Sequence, residues 1–214
     1  MIKRLIFDVD NTLITNVDFV AAIEDTLKQI GMYSGQTVGG FIEGINTYEG
    51  AYDNYNPVDY VRHIGEKIGV DLPNNFLDVF FERLKSAIPE RNPELIATIE
   101  KLSEKYELVL LTNYFSKSQL NRLNNMGIGQ YFSECYGEKL IKPNLEAYVM
   151  ACGSNQPEAC VMIGDSVFLD VEQPKKAGLK AILVNTKNVP TDDVDAVVVN
   201  KVEDINTELI ESLR

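Results

Sequence analysis

The chain has 214 residues, 45% of them hydrophobic and 24% charged, and a net charge of -12. That length and balance suit a globular protein of one large domain, or of a domain carrying an insertion. The acidic excess repels nucleic-acid backbones and anionic membranes, and no apolar stretch nears the roughly 20 residues of a membrane span; a small phosphate ester remains an admissible partner wherever one pocket is locally positive.

In chain order, Met1 to Arg4 lead straight into the first apolar run and leave no room for a signal peptide. That run, residues 5–7, ends in Asp8-Val9-Asp10-Asn11-Thr12-Leu13. Residues 15–88 hold no convincing strand and read by periodicity as four helices, 17–30, 36–48, 57–68 and 74–88. Between two of them, Tyr48 to Asn56 is rich in Tyr and Asn; it has the groups to hydrogen-bond a sugar or stack a base, but reads first as a polar surface loop. His63, the only histidine, falls in a helical pattern and is expected to take no part in chemistry.

From residue 89 onward, short apolar runs alternate with helical patterns. The runs are 108–111, 161–163, 181–184 and 196–199; the helices are 93–105, 116–126, 144–152 and 169–177. Nearly all-apolar runs of this length suit strands covered on both faces of a parallel sheet. Pro93 suits a first helical position, and Gly127 and Gly178 suit helix stops. The fold class is therefore α/β, a Rossmann-like doubly wound parallel sheet, with an all-helical insertion after the first strand. The expected division is residues 1–14 and 89–214 for the sheet domain and 15–88 for the insertion. Cys135, Cys152 and Cys160 are scattered, with no C-x-x-C, and read as reduced packing thiols in a cytoplasmic protein. Nothing in the sequence speaks to oligomeric state.

Three of the apolar runs end in polar residues: at Asp8, at Thr112-Asn113 and at Gly164-Asp165-Ser166, with Asp170 shortly after. Each has an ordinary explanation alone. Asp-x-Asp-Asn is a common turn, Thr-Asn a helix cap, and Lys142 before Pro143 a solvated loop lysine. A calcium loop fails, because Leu13 and Phe19 stand where Gly and Glu are required. Together the groups mean more, because an open parallel sheet binds ligands at the carboxyl ends of its strands. The carboxylates suit Mg²⁺, a hard cation that takes oxygen ligands, and Thr112, Asn113 and Lys142 are donors that suit a phosphoryl group.

In that order, Asp8-Val9-Asp10-Asn11-Thr12-Leu13, Leu111-Thr112-Asn113, Lys142-Pro143 and Gly164-Asp165-Ser166 with Asp170 resemble the four motifs of the haloacid dehalogenase-like hydrolases, which are mostly phosphatases. The resemblance spans nearly the whole chain and makes residues 15–88 a helical cap of the C1 type. It implies Asp8 as nucleophile and Asp10 as general acid/base. Thr112, Lys142 and, less directly, Asn113 bind the phosphoryl group. Mg²⁺ is held by Asp8, by the backbone carbonyl of Asp10 and by Asp165. Asp170 and Ser166 stand behind these, Asp170 orienting Lys142 or a metal-bound water. A free Asp, with pKa about 3.9, makes Asp8 nucleophilic at neutral pH without special activation. Partial desolvation and a neighbouring charge raise Asp10, and a metal opposes them.

Two positions depart from the family pattern. Gln173-Pro174 replaces the more usual Gly-Ala and shifts a helix start; Tyr114 replaces Gly or Ser and is expected to narrow the pocket or stack on a substrate. Asp10 argues against a dehalogenase. A phosphosugar mutase shares every motif and differs only in excluding water. A non-catalytic phosphate-binding protein should have lost Asp8, Asp10, Lys142 or Asp165, and a phosphorelay receiver would be shorter and uncapped. The expected partner is a small phosphorylated metabolite: a nucleoside monophosphate, phosphoglycolate or a sugar phosphate.

Overall fold

The computed structural model describes residues 1–213. Six parallel strands form one sheet: β1 (Arg4–Phe7), β2 (Glu107–Leu111), β3 (Phe132–Tyr136), β4 (Cys160–Gly164), β5 (Lys180–Val184) and β6 (Val197–Val199), in the order β3-β2-β1-β4-β5-β6. The first strand is central because Leu5, Ile6 and Phe7 make it apolar on both faces. Leu5 and Phe7 point into one buried cluster with Leu108, Leu110, Val161 and Ile163; Ile6 points into another with Val109, Leu111 and Met162. Helices cover both faces, so the strands read as continuous apolar runs rather than alternating ones. One cluster is closed by α5 (Pro93–Ser103), α6 (Ser116–Met126) and α9 (Thr207–Ser212), the other by α7 (Leu145–Ala151).

Between β1 and α5 lie α1 (Phe19–Gln29), α2 (Gly35–Ala51), α3 (Pro57–Ile68) and α4 (Phe76–Ser86). Their starts follow local chemistry. Asp18, Ser34 and Asn56 each accept a backbone N–H at a helix N-terminus, and Pro57 occupies a first-turn position that needs no donor. α2 packs against α3 through Gly44, where a Cβ would stand 2.6 Å from Ile64 Cδ1. Their shared interior is a separate cluster of Phe41, Tyr48, Tyr60, Phe76 and Phe80, into which Phe115 and Ile141 from the strand-end loops also pack. Two backbone bonds link the layers: Tyr55 N–H to Glu138 O at 2.7 Å and Ile141 N–H to Asp53 O at 3.3 Å.

The structure departs from the sequence reading in five places, one of them the unpredicted α9. β3 was not expected: Phe-Ser-Glu-Cys-Tyr is an edge strand with two exposed residues, so it carries no apolar run. α2 continues to Ala51, and Tyr48 and Tyr55 are buried; the predicted polar loop is largely helix and aromatic core. The last predicted core helix begins earlier, as a π-helical turn at Val167–Glu172, and becomes α8 (Gln173–Lys176) where Pro174 enters. Tyr114 is half-buried, with its hydroxyl hidden, against Tyr55, Tyr60, Phe81 and Phe115 rather than facing a pocket. Gly127 and Gly178 do stop their helices, at φ 84° and 90°. His63 is buried, shares a hydrogen bond with Thr47 Oγ1 at 2.9 Å and does not line the cavity at the strand ends. All three cysteines are free. Among the described residues no helix is long and apolar enough to cross a membrane.

Candidate active site

The strand order reverses between β1 and β4, and the carboxyl ends of these two strands carry Asp8 and Asp165. This is the crevice where doubly wound sheets bind ligands. Asp8 is fixed by its own backbone, whose N–H donates to Ile163 O at 2.9 Å. The chain then turns sharply: the Leu13 and Ile14 N–H groups both return to Val9 O, and Asn11 adopts φ 63°, a left-handed conformation that Asn tolerates. The turn brings Thr12 Oγ1 to Asp8 Oδ2 at 3.3 Å.

Lys142 is buried between two carboxylates. Its Nζ donates to Asp8 Oδ1 and to Asp170 Oδ1, each at 2.8 Å. Asp170 Oδ2 accepts from the Ser166 N–H at 3.0 Å, and Ser166 Oγ accepts from the Leu169 N–H, which starts the π-helical turn. Both oxygens of Asp170 are thus engaged, and it positions Lys142. This packing requires glycine at position 164, because a Cβ there would stand 2.3 Å from Asp170 Cγ. One oxygen from each of Asp8, Asp165 and Asp170 lies within 4.8 Å of the others.

The charge balance is the decisive property of this cluster. Three buried carboxylates face one buried ammonium. Lys187, whose side chain is half exposed, approaches Asp165 Oδ2 at 2.5 Å as an ion pair without the angle of a hydrogen bond. Burial pushes Asp8 up to about 7, with the Asp170 and Asp10 charges adding to it and the Lys142 ammonium pulling the other way. Burial in the bare protein thus opposes the ionisation of Asp8 that the sequence reading expects, while the Lys142 ammonium favours it. Lys142 is held firmly protonated, since both carboxylates outweigh its own burial. A divalent cation suits this donor set, being oxygen-rich, anionic in excess and left with an Asp165 oxygen that no hydrogen bond satisfies.

Asp10 points elsewhere. Its Oδ1 accepts from Arg122 Nη2 at 2.8 Å and its Oδ2 from Gln119 Nε2 at 2.7 Å. Arg122 is fully buried and also donates to Gln119 Oε1 at 2.6 Å, while Gln119 Nε2 reaches Thr112 Oγ1 at 2.9 Å. Two residues spaced one turn apart on α6 thus hold Asp10 and Thr112 together. The Thr112 hydroxyl accepts this bond and keeps its own proton to donate. Asn113, grouped above with the phosphate donors, is fully occupied: Oδ1 accepts from the Lys142 N–H at 2.8 Å, and Nδ2 donates to Lys142 O at 2.8 Å and to Glu49 Oε2 at 2.9 Å. It fastens the loop that carries Lys142.

Asp8, Asp10, Thr112, Asn113, Lys142, Asp165, Ser166 and Asp170 all line one cavity of about 290 Å³, with Glu49 and Lys187 among the others. A larger open groove, about 830 Å³, lies on the outer face of α3 and the turn that follows it, away from the strand ends. Sequence reading assigned no site role to four contributors. Gln119 and Arg122 carry a signal in their shared helix face. Lys187 follows the end of β5, so the same strand-end rule points to it. Glu49 has no local signal, because only the packing of α2 over the sheet brings it here.

Such a sheet, with acidic strand ends at its switch point and a lysine buried between them, defines a doubly wound α/β enzyme with a carboxylate-centred site. The chain belongs to the haloacid dehalogenase-like hydrolases, whose family model matches residues 2–178. It is 24% identical over 202 residues to a glyceraldehyde 3-phosphate phosphatase from Methanothermobacter thermautotrophicus, covering 87% of each chain. In structure it resembles a haloacid dehalogenase-family (HAD) phosphatase from Thermococcus onnurineus (TM-score 0.70, 21% identity, 97% of this chain and 98% of that one). It equally resembles a 2-haloacid dehalogenase from Pseudomonas syringae pv. Tomato (TM-score 0.72, 19% identity, 99% and 97%). At these identities the structural likenesses speak to the fold alone.

Proposed function

We propose that the protein is a Mg²⁺-dependent phosphatase that hydrolyses a small phosphate monoester through an aspartyl-phosphate on Asp8. The observation that carries this reading is the buried Asp8–Lys142–Asp170 bridge beside Asp165, with the second carboxylate, Asp10, held apart on different donors. Two carboxylates with separate partners suit separate roles.

Lys142 and the Thr112 hydroxyl hold the phosphoryl oxygens, and Lys142 offsets the repulsion between the Asp8 carboxylate and the anionic ester. An Asp8 oxygen attacks phosphorus as the bond to the leaving oxygen breaks. Asp10, which must enter this step protonated, exchanges one of its bonds to Gln119 or Arg122 for the leaving oxygen and gives it that proton. Water then attacks the phosphorus of the aspartyl-phosphate, Asp10 takes the proton back, and the bond to Asp8 breaks to release phosphate. Mg²⁺, held by Asp8, Asp165 and the Asp10 carbonyl, would supply charge neutralisation and favour ionised Asp8. Residues 15–88 act as the cap that closes over this edge and keeps bulk water away. The triose-phosphate substrate in the relative's name and the cavity of about 290 Å³ favour a sugar phosphate of few carbons over a nucleotide.

The test is phosphate release from p-nitrophenyl phosphate with and without Mg²⁺, in the wild type and in Asp8→Asn. The proposal expects Mg²⁺-dependent release that Asp8→Asn abolishes. Release that survives Asp8→Asn would refute the nucleophile. A wild type that releases no phosphate but interconverts hexose phosphates would be a mutase.

A further inference from the structure

We infer that Glu49 is the cap's specificity residue, and that it selects a small, uncharged, hydroxyl-bearing leaving group over a carboxylic acid or a nucleoside. This rests on the phosphatase reading only for which part of the ligand leaves. Of the residues lining the cavity at the strand ends, Glu49 alone comes from the segment between residues 15 and 88. Phosphate held by Lys142 and Thr112 at the floor therefore presents the rest of the ester to Glu49.

The carboxylate is fixed from both layers. Oε1 accepts from the Tyr55 hydroxyl at 2.8 Å, and Oε2 accepts from Asn113 Nδ2 at 2.9 Å. Tyr55 is buried, and desolvation together with the Glu49 charge keeps its phenol protonated as a donor. Asn113 is in turn clamped to both backbone groups of Lys142. Glu49 thus has one place relative to the phosphate-holding lysine. An ionised carboxylate offers about four acceptor positions, of which these bonds use two. The remaining two accept from hydroxyl groups.

The alternatives meet physical obstacles. A carboxylate on the leaving group would face Glu49 and be repelled by its like charge. Lys187 offers little relief, being engaged with Asp165. A nucleoside would want an aromatic face to stack on, and no aromatic residue lines the cavity. The cap tyrosines nearest Glu49 pack on other rings, Tyr48 on Tyr60 and Tyr55 on Phe115 of the strand-end loop, at 4.9 and 5.3 Å between centroids.

The decisive experiment measures binding without turnover. Asp8→Asn protein in excess Mg²⁺ is titrated calorimetrically with glycerol 3-phosphate, 2-phosphoglycolate and adenosine monophosphate. Glycerol 3-phosphate should bind about tenfold or more tightly than either competitor. Adding Glu49→Gln should bring 2-phosphoglycolate to within about threefold of glycerol 3-phosphate, since the opposing charge is gone. Tighter binding of phosphoglycolate or the nucleotide, or a gap that Glu49→Gln leaves unmoved, overturns the inference. Wild-type turnover of the same esters is read separately. The binding preference without any phosphate release upholds Glu49 and sinks the phosphatase; release of phosphate from all three with equal efficiency upholds the phosphatase and sinks Glu49.

Discussion

Two interiors of this molecule are equally buried and opposite in chemistry. At the strand ends, Asp8, Lys142, Asp165 and Asp170 are almost completely hidden, yet every one of them is an ionisable group. In the helical segment, Phe41, Tyr48, Tyr60, Phe76 and Phe80 are as deeply buried and make an aromatic cluster. The first interior sacrifices stability, because desolvating several charges is offset only where each finds a partner. The second supplies stability and shape, and contributes one side chain, Glu49, to the cavity. Buried charge, rather than burial, marks where chemistry occurs.

The sharpest way to break this comparison is to remove the shared ammonium. Lys142→Met leaves two carboxylates facing each other without their cation. It should destabilise the metal-free protein by roughly 3–5 kcal/mol and abolish turnover, with Mg²⁺ restoring part of the stability in denaturant titrations. Equal stability of the variant and the wild type without metal would mean that the cluster is not charged as described.

Phe80→Ala makes the matching cut in the other interior. It should cost about 3–5 kcal/mol through cavity formation, with Mg²⁺ failing to recover it. Calorimetric unfolding with and without Mg²⁺ separates the two losses, since only one of them is electrostatic.

The pH dependence is a smaller effect with a definite sign. Asp8 lies near 4 in the unfolded chain and about 7 in the metal-free fold. The folded state then holds more protons than the unfolded state between these values, so its contribution to stability is present below pH 4 and lost as pH rises to 7. The metal-free melting temperature should fall across that window by several degrees relative to Asp8→Asn, and Mg²⁺ should flatten the slope.

The smallest effect belongs to the aromatic interior. The Tyr60 and Tyr114 hydroxyls are buried without a well-formed hydrogen bond. Replacing both tyrosines with Phe should change stability by no more than about 1 kcal/mol, and favourably if at all, because it removes two desolvated polar groups together. A loss well beyond that would reveal a polar role for the pair.

Much of this was legible in the sequence for a physical reason. Strands covered on both faces must be apolar throughout, and that exposed five of the six. β3 escaped because an edge strand with exposed Ser133 and Glu134 has no such pattern. The residues ending β1, β2 and β4 were legible because parallel strands direct their ends to one edge. What neighbouring side chains do there was not. Asn113 and Tyr114 follow Thr112 directly, but one clamps the Lys142 loop and the other turns into the helical segment. Glu49 lies in a stretch read as a surface loop, and its approach to Asn113 depends on how α2 sits over the sheet.

The measurement that bears most directly on the account is acid-quenched peptide mass spectrometry during turnover of a phosphate monoester with Mg²⁺. The account predicts a phosphoryl group on the peptide containing Asp8, absent in Asp8→Asn and accumulating in Asp10→Asn, where the second proton transfer is impaired. Steady turnover with no phosphoryl group on Asp8 in either the wild type or Asp10→Asn would contradict it.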